Sequence, residues 1–184
     1  SIIICSEGVA DKLDIPSDKR VYPLASSENN HMISTLQRPN LIEPAGMHLA
    51  AKFILDICSK NNLVPSIYDL YSCFPVAIQM FAKSLNLNNI KDKTVTGAMP
   101  FAGGPLNSYV LHSTAKLIEK LRENNGIGIV TGVSGMMTKQ SYALWSKNKE
   151  IDFIHKDVTK DAETIEKALE LSEFEDGEGK IVGY

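Results

Sequence analysis

The stretch from Thr94 to Arg122, TVTGAMPFAGGPLNSYVLHSTAKLIEKLR, constrains the fold more than any other part of the chain. Thr94, Val95 and Thr96 are β-branched and suit a short strand. Gly97, Gly103 and Gly104, with Pro100 and Pro105, then interrupt regular structure. From Asn107 the apolar period changes. Val110, Thr114, Leu117, Ile118 and Leu121 fall on one face of a helix. Asn107 reads as the N-cap of that helix. A glycine turn before a helix start either presents N–H groups to an anion or oxyanion, or merely joins strand to helix. The segment lacks G-K-[ST], which excludes a Walker loop, and its glycines do not form G-x-G-x-x-G.

The other elements follow the same punctuation. Ile2 to Ile4 reads as a buried strand, and Ser6 to Leu13 as a short helix capped by Ser6. Arg20 to Ala25 reads as a strand that Pro23 places at an edge. Ser26 to Leu41 reads as a long polar loop holding His31, either solvated or catalytic. Pro44 opens a helix whose stripe is Met47, Ala50, Ala51, Ile54, Leu55 and Cys58. Ile67 to Ser72 is a strand. Pro75 opens a helix facing Val76, Ala77, Met80, Phe81 and Leu85 inward. Gly126 to Gly132 reads as a fully buried strand, and Gln140 to Trp145 as a paired antiparallel strand. Lys147 to Lys160 reads as a charged loop. Asp161 to Phe174 reads as a weak helix, Glu175 to Lys180 as an acidic linker, and Ile181-Val182 as the start of a further strand. Strands alternating with helices imply an α/β fold with a mixed sheet.

At 184 residues the chain can bury one substantial core. Its net charge of -3 and scattered lysines argue against nucleic acid. Its apolar runs fall short of the ~18 residues of a membrane span, and it opens without the basic segment of a signal peptide. Three widely spaced cysteines, Cys5, Cys58 and Cys73, suit neither a disulfide framework nor a zinc site, and point to the cytoplasm. The chain opens without Met, which suggests a fragment of a longer protein.

Three ordered segments resemble the thiolase family. Thr96 to Tyr109, T-G-A-M-P-F-A-G-G-P-L-N-S-Y, is similar to the thiolase G-G-A-x-x-x-G-H-P-x-G-A-S-G. Tyr71-Ser72-Cys73-Phe74 falls where thiolases carry N-E-A-F, or H-D-C-F in the sterol-carrier type. Gly126 to Met137, GIGIVTGVSGMM, falls where they carry a strand and the C-x-G turn. The match is nearest to a divergent branch of acetyl-CoA acetyltransferases and covers about Ser1 to Lys147. It implies a thiolase-like C-terminal half over residues 1–147, a mixed β-sheet with helices on both faces. Residues 148–184 would be a charged linker, a short helix and the start of a further segment.

The resemblance implies thiolysis of a 3-oxoacyl-CoA, or the reverse Claisen condensation, through a cysteine supplied by an N-terminal half. Coenzyme A enters with the substrate thioester, with no bound cofactor and no metal. The implied partners are the acyl-CoA, that N-terminal half and further copies in a homo-oligomer. Tyr71 takes the position of an oxyanion-hole donor, where a phenol can donate the same bond, or else is a strand tyrosine packed in the core. Cys73, between strand and helix, is either a nucleophile or a buried packing residue. Gly104 replaces the histidine of G-H-P, leaving only backbone N–H groups at Gly103 and Gly104. The C-x-G cysteine falls on Thr131 or, with a one-residue slip, on Gly132, and neither can act as a thiol acid or base. Asn107 is a candidate thioester contact. His112, the one imidazole near the turn, either replaces the missing one or is a packing or hydrogen-bonding residue between layers. These losses keep a second reading open, a non-catalytic acyl-CoA-binding or scaffold homologue. A nucleotide-binding domain, resting on Gly126-Ile127-Gly128 alone, is a weaker third.

Overall fold

The computed structural model describes residues 2–87, 93–173 and 176–181. Five strands form one mixed sheet: β1 (Tyr22–Asn29), β2 (Ile67–Asp69), β3 (Ile127–Ser134), β4 (Met136–Ser146) and β5 (Ile154–Asp157). Their order is β2-β3-β4-β1-β5. β2 runs parallel to β3 and β5 parallel to β1, while β4 is antiparallel to both its neighbours.

A short helix α1 (Glu7–Lys12) precedes β1, and helices α2 (Ala45–Lys60) and α3 (Pro75–Ser84) cover one face. The stripe on α2 buries Met47, Ala50, Ala51, Ile54 and Cys58 against Leu24, Ile129, Tyr142 and Leu144 of the sheet. Burial pushes the Cys58 thiol up to about 11, as suits a packing residue. On the other face, α5 (Tyr109–Asn124) lies over β2 and β3. Leu117 and Leu121 pack there on Val130. Gly128 permits this close approach, since a Cβ at that position would sit 2.7 Å from Leu117 Cδ1. The sheet thus carries helices on both faces.

The register also shows where this second face is open. Ser27 Oγ donates to Ala50 O on the α2 side, so Ser26 and Glu28 point to the α5 side. Ser141, paired with Glu28, faces the same way. These residues are only half-buried. No helix among the described residues is long and apolar enough to cross a membrane.

Several expectations need correction. Ile2 to Ile4 forms no strand, and Ile3 and Ile4 are 87% and 86% exposed. The loop expected from Ser26 is strand as far as Asn29, because Ser27 and Asn29 are buried polar residues with partners at Ala50 O and Thr138 O. Pro23 is not on an edge strand. β5 pairs with β1 only from Ala25 onward, so the proline precedes the flanking ladder and sits at a bulge against β4. Val76 faces solvent at 45% exposure.

The charged segment 147–160 supplies β5, whose four residues are all exposed and carry no apolar alternation. The sheet therefore continues past the boundary expected at 147. Helix α6 (Thr159–Ile165) is shorter than expected, and Ala168, Leu169 and Ser172 lie beyond its end. The chain there is held instead by Glu166, whose Oε2 accepts the Ala45 N–H at the start of α2 (2.7 Å). His31 is part of this anchor: its Nε2 donates to Glu166 O over 2.9 Å. Ile181 is exposed and outside any strand. Phe174, Glu175 and Val182 lie outside the described residues.

Candidate functional site

The site is assembled around a buried carboxylate. Asp69 ends β2 between Tyr68 and Leu70 and is 0% exposed. A buried charge is tolerated only when hydrogen bonds replace its water. Asp69 Oδ2 accepts from the Val95 and Thr96 N–H groups, both at 3.0 Å, and from the Thr94 and Thr96 hydroxyls at 2.8 and 2.9 Å. Oδ1 accepts from Ser113 Oγ at 2.7 Å and Tyr109 Oη at 3.3 Å, both on α5. This explains why Thr94 to Thr96 is not the expected strand: the residues wrap the carboxylate instead of pairing with a neighbour. A second link runs from Met99 N to Ser72 Oγ (2.9 Å) and on to Tyr109 Oη (3.1 Å). The ends of β2, the glycine turn and the start of α5 are thereby tied together.

The turn itself is tightly coiled. Gly97, Ala98, Gly103 and Leu106 all have positive φ, at 82°, 67°, 78° and 47°. Alanine and leucine are rarely held in this region, and such residues concentrate at functional sites. A one-turn helix α4 (Met99–Ala102) and a 3₁₀ turn (Leu106–Ser108) lead into α5. The expected cap at Asn107 is not formed. Ser108 takes the N-cap position, and no side chain caps the helix, because the preceding 3₁₀ turn moves the boundary on by one residue.

Beside this uncapped start lies a cavity of about 360 Å³. Tyr71, Asn107 and Tyr109 line one side, and Gly132, Ser134 and Lys139 of the β3–β4 hairpin line the other. The Tyr71 ring meets the Tyr109 ring edge-on, with centroids 5.5 Å apart. Burial, reinforced by Cys73 and Tyr109, raises the Tyr71 pKa, so its phenol stays protonated at neutral pH and can donate. Thr131 is buried behind the wall, and its Oγ1 accepts the Tyr71 N–H over 2.9 Å.

The structure thus brings Tyr71, Asn107 and Thr131 together at one end of the sheet. Gly103 and Gly104 lie exposed in the adjoining turn and do not line the cavity. Cys73 is half-buried before α3, outside the cavity lining. Desolvation raises its thiol pKa more than N–H bonds from Phe74 and its own backbone lower it, which disfavours a thiolate. His112 is exposed on α5 and also outside the lining. Sequence reasoning missed Asp69, Glu28 and Lys139. A charge inside the apolar run Ile67-Tyr68-Asp69-Leu70-Tyr71 was a usable signal for the first. Nothing in the sequence separates the other two from solvated strand charges.

No family model and no curated protein matches this sequence. A solved structure does: a monomeric SCP2-thiolase-like protein type 1 from Mycobacterium smegmatis, at 25% identity and a TM-score of 0.66. The match covers 76% of this chain and 32% of that one, so the chain spans about a third of the length of its structural neighbour. That protein is a monomer, whereas the family resemblance implied an oligomer. With its mixed five-stranded sheet, helices on both faces and this structural likeness, the chain has a thiolase-like α/β fold.

Proposed function

We propose that residues 1–184 form the acyl-CoA-binding half of a thiolase-like acetyl-CoA acetyltransferase. In thiolysis, a cysteine thiolate adds to the 3-oxo carbon of a 3-oxoacyl-CoA and the C2–C3 bond breaks. Acetyl-CoA leaves as its enolate and is protonated, and the thiol of a second coenzyme A then takes the acyl group from the cysteine. That cysteine belongs to an N-terminal half seated beside α5, where the sheet face around Ser26, Glu28 and Ser141 is only half-covered. The present half contributes the Tyr71 hydroxyl and the uncapped α5 start as donors to the enolate oxygen. The observation that carries this reading is that Tyr71, Asn107 and the residue following Thr131 line one cavity.

A second reading, an acyl-CoA-binding homologue without catalysis, is favoured by the wall composition: among the described residues, no cysteine or histidine lines the cavity. The two readings agree about the chain alone. It is expected to bind acetyl-CoA and to give no thiolysis of acetoacetyl-CoA above background. Turnover by the chain alone would overturn both and promote Cys73. Joined to an N-terminal thiolase half, the enzyme reading predicts thiolysis that Tyr71→Phe lowers by about 10²–10³, the usual worth of an oxyanion donor. Binding without thiolysis in that assembly would leave the second reading.

A further inference from the structure

We infer that the acyl group taken by this cavity is short and ends in a carboxylate, so that the preferred ligand is a dicarboxylic acid monothioester of coenzyme A. The inference rests on the proposal that the cavity is an acyl-CoA site. Its walls hold Asn107, Ser134, Lys139 and Ser141, and none of these side chains has a hydrogen bond or ion pair within the protein among the described residues. By contrast, the buried Gln140 amide on the same wall is occupied, donating to Met137 O and receiving a long bond from Asn29. Among the described residues, apolar contact comes from Leu106, Val110 and Val133 and from the rings of Tyr71 and Tyr109.

A methylene chain gains about 0.8 kcal/mol per buried CH₂ only when it moves from water to an apolar wall. Here it would displace water from free amide, hydroxyl and ammonium groups and leave them unpaired, at about 1–3 kcal/mol each. A terminal carboxylate reverses that balance, because it accepts from each of these donors. Lys139 supplies the charge that distinguishes it from a neutral polar end. Glu28 lines the same cavity, and its Oε1 lies 3.8 Å from His155 Nε2. Sites built to hydrogen-bond a ligand group discriminate strongly against the analogue that lacks it.

Lys139 could meet either of two anions on such a ligand, the acyl carboxylate or the phosphates of coenzyme A. Calorimetric titration of the chain and of Lys139→Gln separates them, with thermal unfolding confirming that the half-exposed substitution leaves the fold intact. Succinyl-CoA and butyryl-CoA share a four-carbon acyl chain and differ in carboxylate against methyl. The expected result is succinyl-CoA binding at least about tenfold tighter, the worth of one charge-assisted hydrogen bond. Lys139→Gln should erase the difference by weakening succinyl-CoA, with acetyl-CoA affected less. Equal or tighter binding of butyryl-CoA would overturn the inference while leaving the acyl-CoA reading in place. A parallel loss of acetyl-CoA and succinyl-CoA in the variant would also overturn it, by assigning Lys139 to the phosphates. Failure of every thioester to bind would remove the acyl-CoA reading itself, and the inference with it.

Discussion

Replacing Asp69 with alanine is expected to destabilise the fold by about 3–5 kcal/mol, a large share of the 5–15 kcal/mol typical of a domain. The carboxylate receives four hydroxyls and two backbone N–H groups in a fully buried position. The hydroxyls of Thr94, Thr96, Tyr109 and Ser113 can rotate to new acceptors, but the N–H groups of Val95 and Thr96 cannot. Asn is the informative control. With its oxygen at the Oδ2 position it keeps both N–H bonds, and its NH₂ then faces the Ser113 and Tyr109 hydroxyls, which can turn to accept. A cost of about 1–2 kcal/mol is expected there. Urea unfolding gives both values. An alanine variant within about 1 kcal/mol of the parent would mean that the turn does not depend on this carboxylate.

Gly132→Leu should abolish most thioester binding. A Cβ at Gly132 would already lie 2.8 Å from Ser141 Oγ and 3.2 Å from Val110 Cγ2. The rest of a leucine side chain has only the cavity, or the contact between α5 and β3, to occupy. The first outcome fills the site; the second costs about 1–3 kcal/mol of overpacking and displaces the wall carrying Tyr109 and Val110. Either way acetyl-CoA affinity is expected to fall at least about tenfold, or 1.4 kcal/mol. A folded Gly132→Leu protein with parental affinity would place the ligand elsewhere.

The elements legible in the sequence were those whose burial follows a clear period. The α2 stripe from Met47 to Cys58, the α5 face from Thr114 to Leu121 and the apolar run of β3 all pack as their spacing implied. Where buried positions are polar, the pattern misleads. Ser27 and Asn29 extend β1 because side-chain bonds satisfy them, and such bonds leave no apolar signature. β5, exposed along its whole length, reads as a charged loop for the opposite reason. The site divides in the same way. Tyr71 and Asn107 were reached through the family-like motifs and do line the cavity. Glu28 and Lys139 alternate with the buried polar residues Asn29, Thr138 and Gln140, so period alone marks no apolar core face beside them.

The central claim is that the cavity between Tyr71, α5 and the β3–β4 hairpin is where the chain receives a coenzyme A thioester. Backbone amide NMR during an acetyl-CoA titration tests it residue by residue. Saturable shift changes are expected at Tyr71, Asn107, Tyr109, Gly132, Ser134 and Lys139. A separate groove between α2 and α3, lined by Met47, His48, Lys52 and Met80 on the opposite side of the sheet, should stay unperturbed. Saturable changes confined to that groove, or no saturable change anywhere, would contradict the assignment.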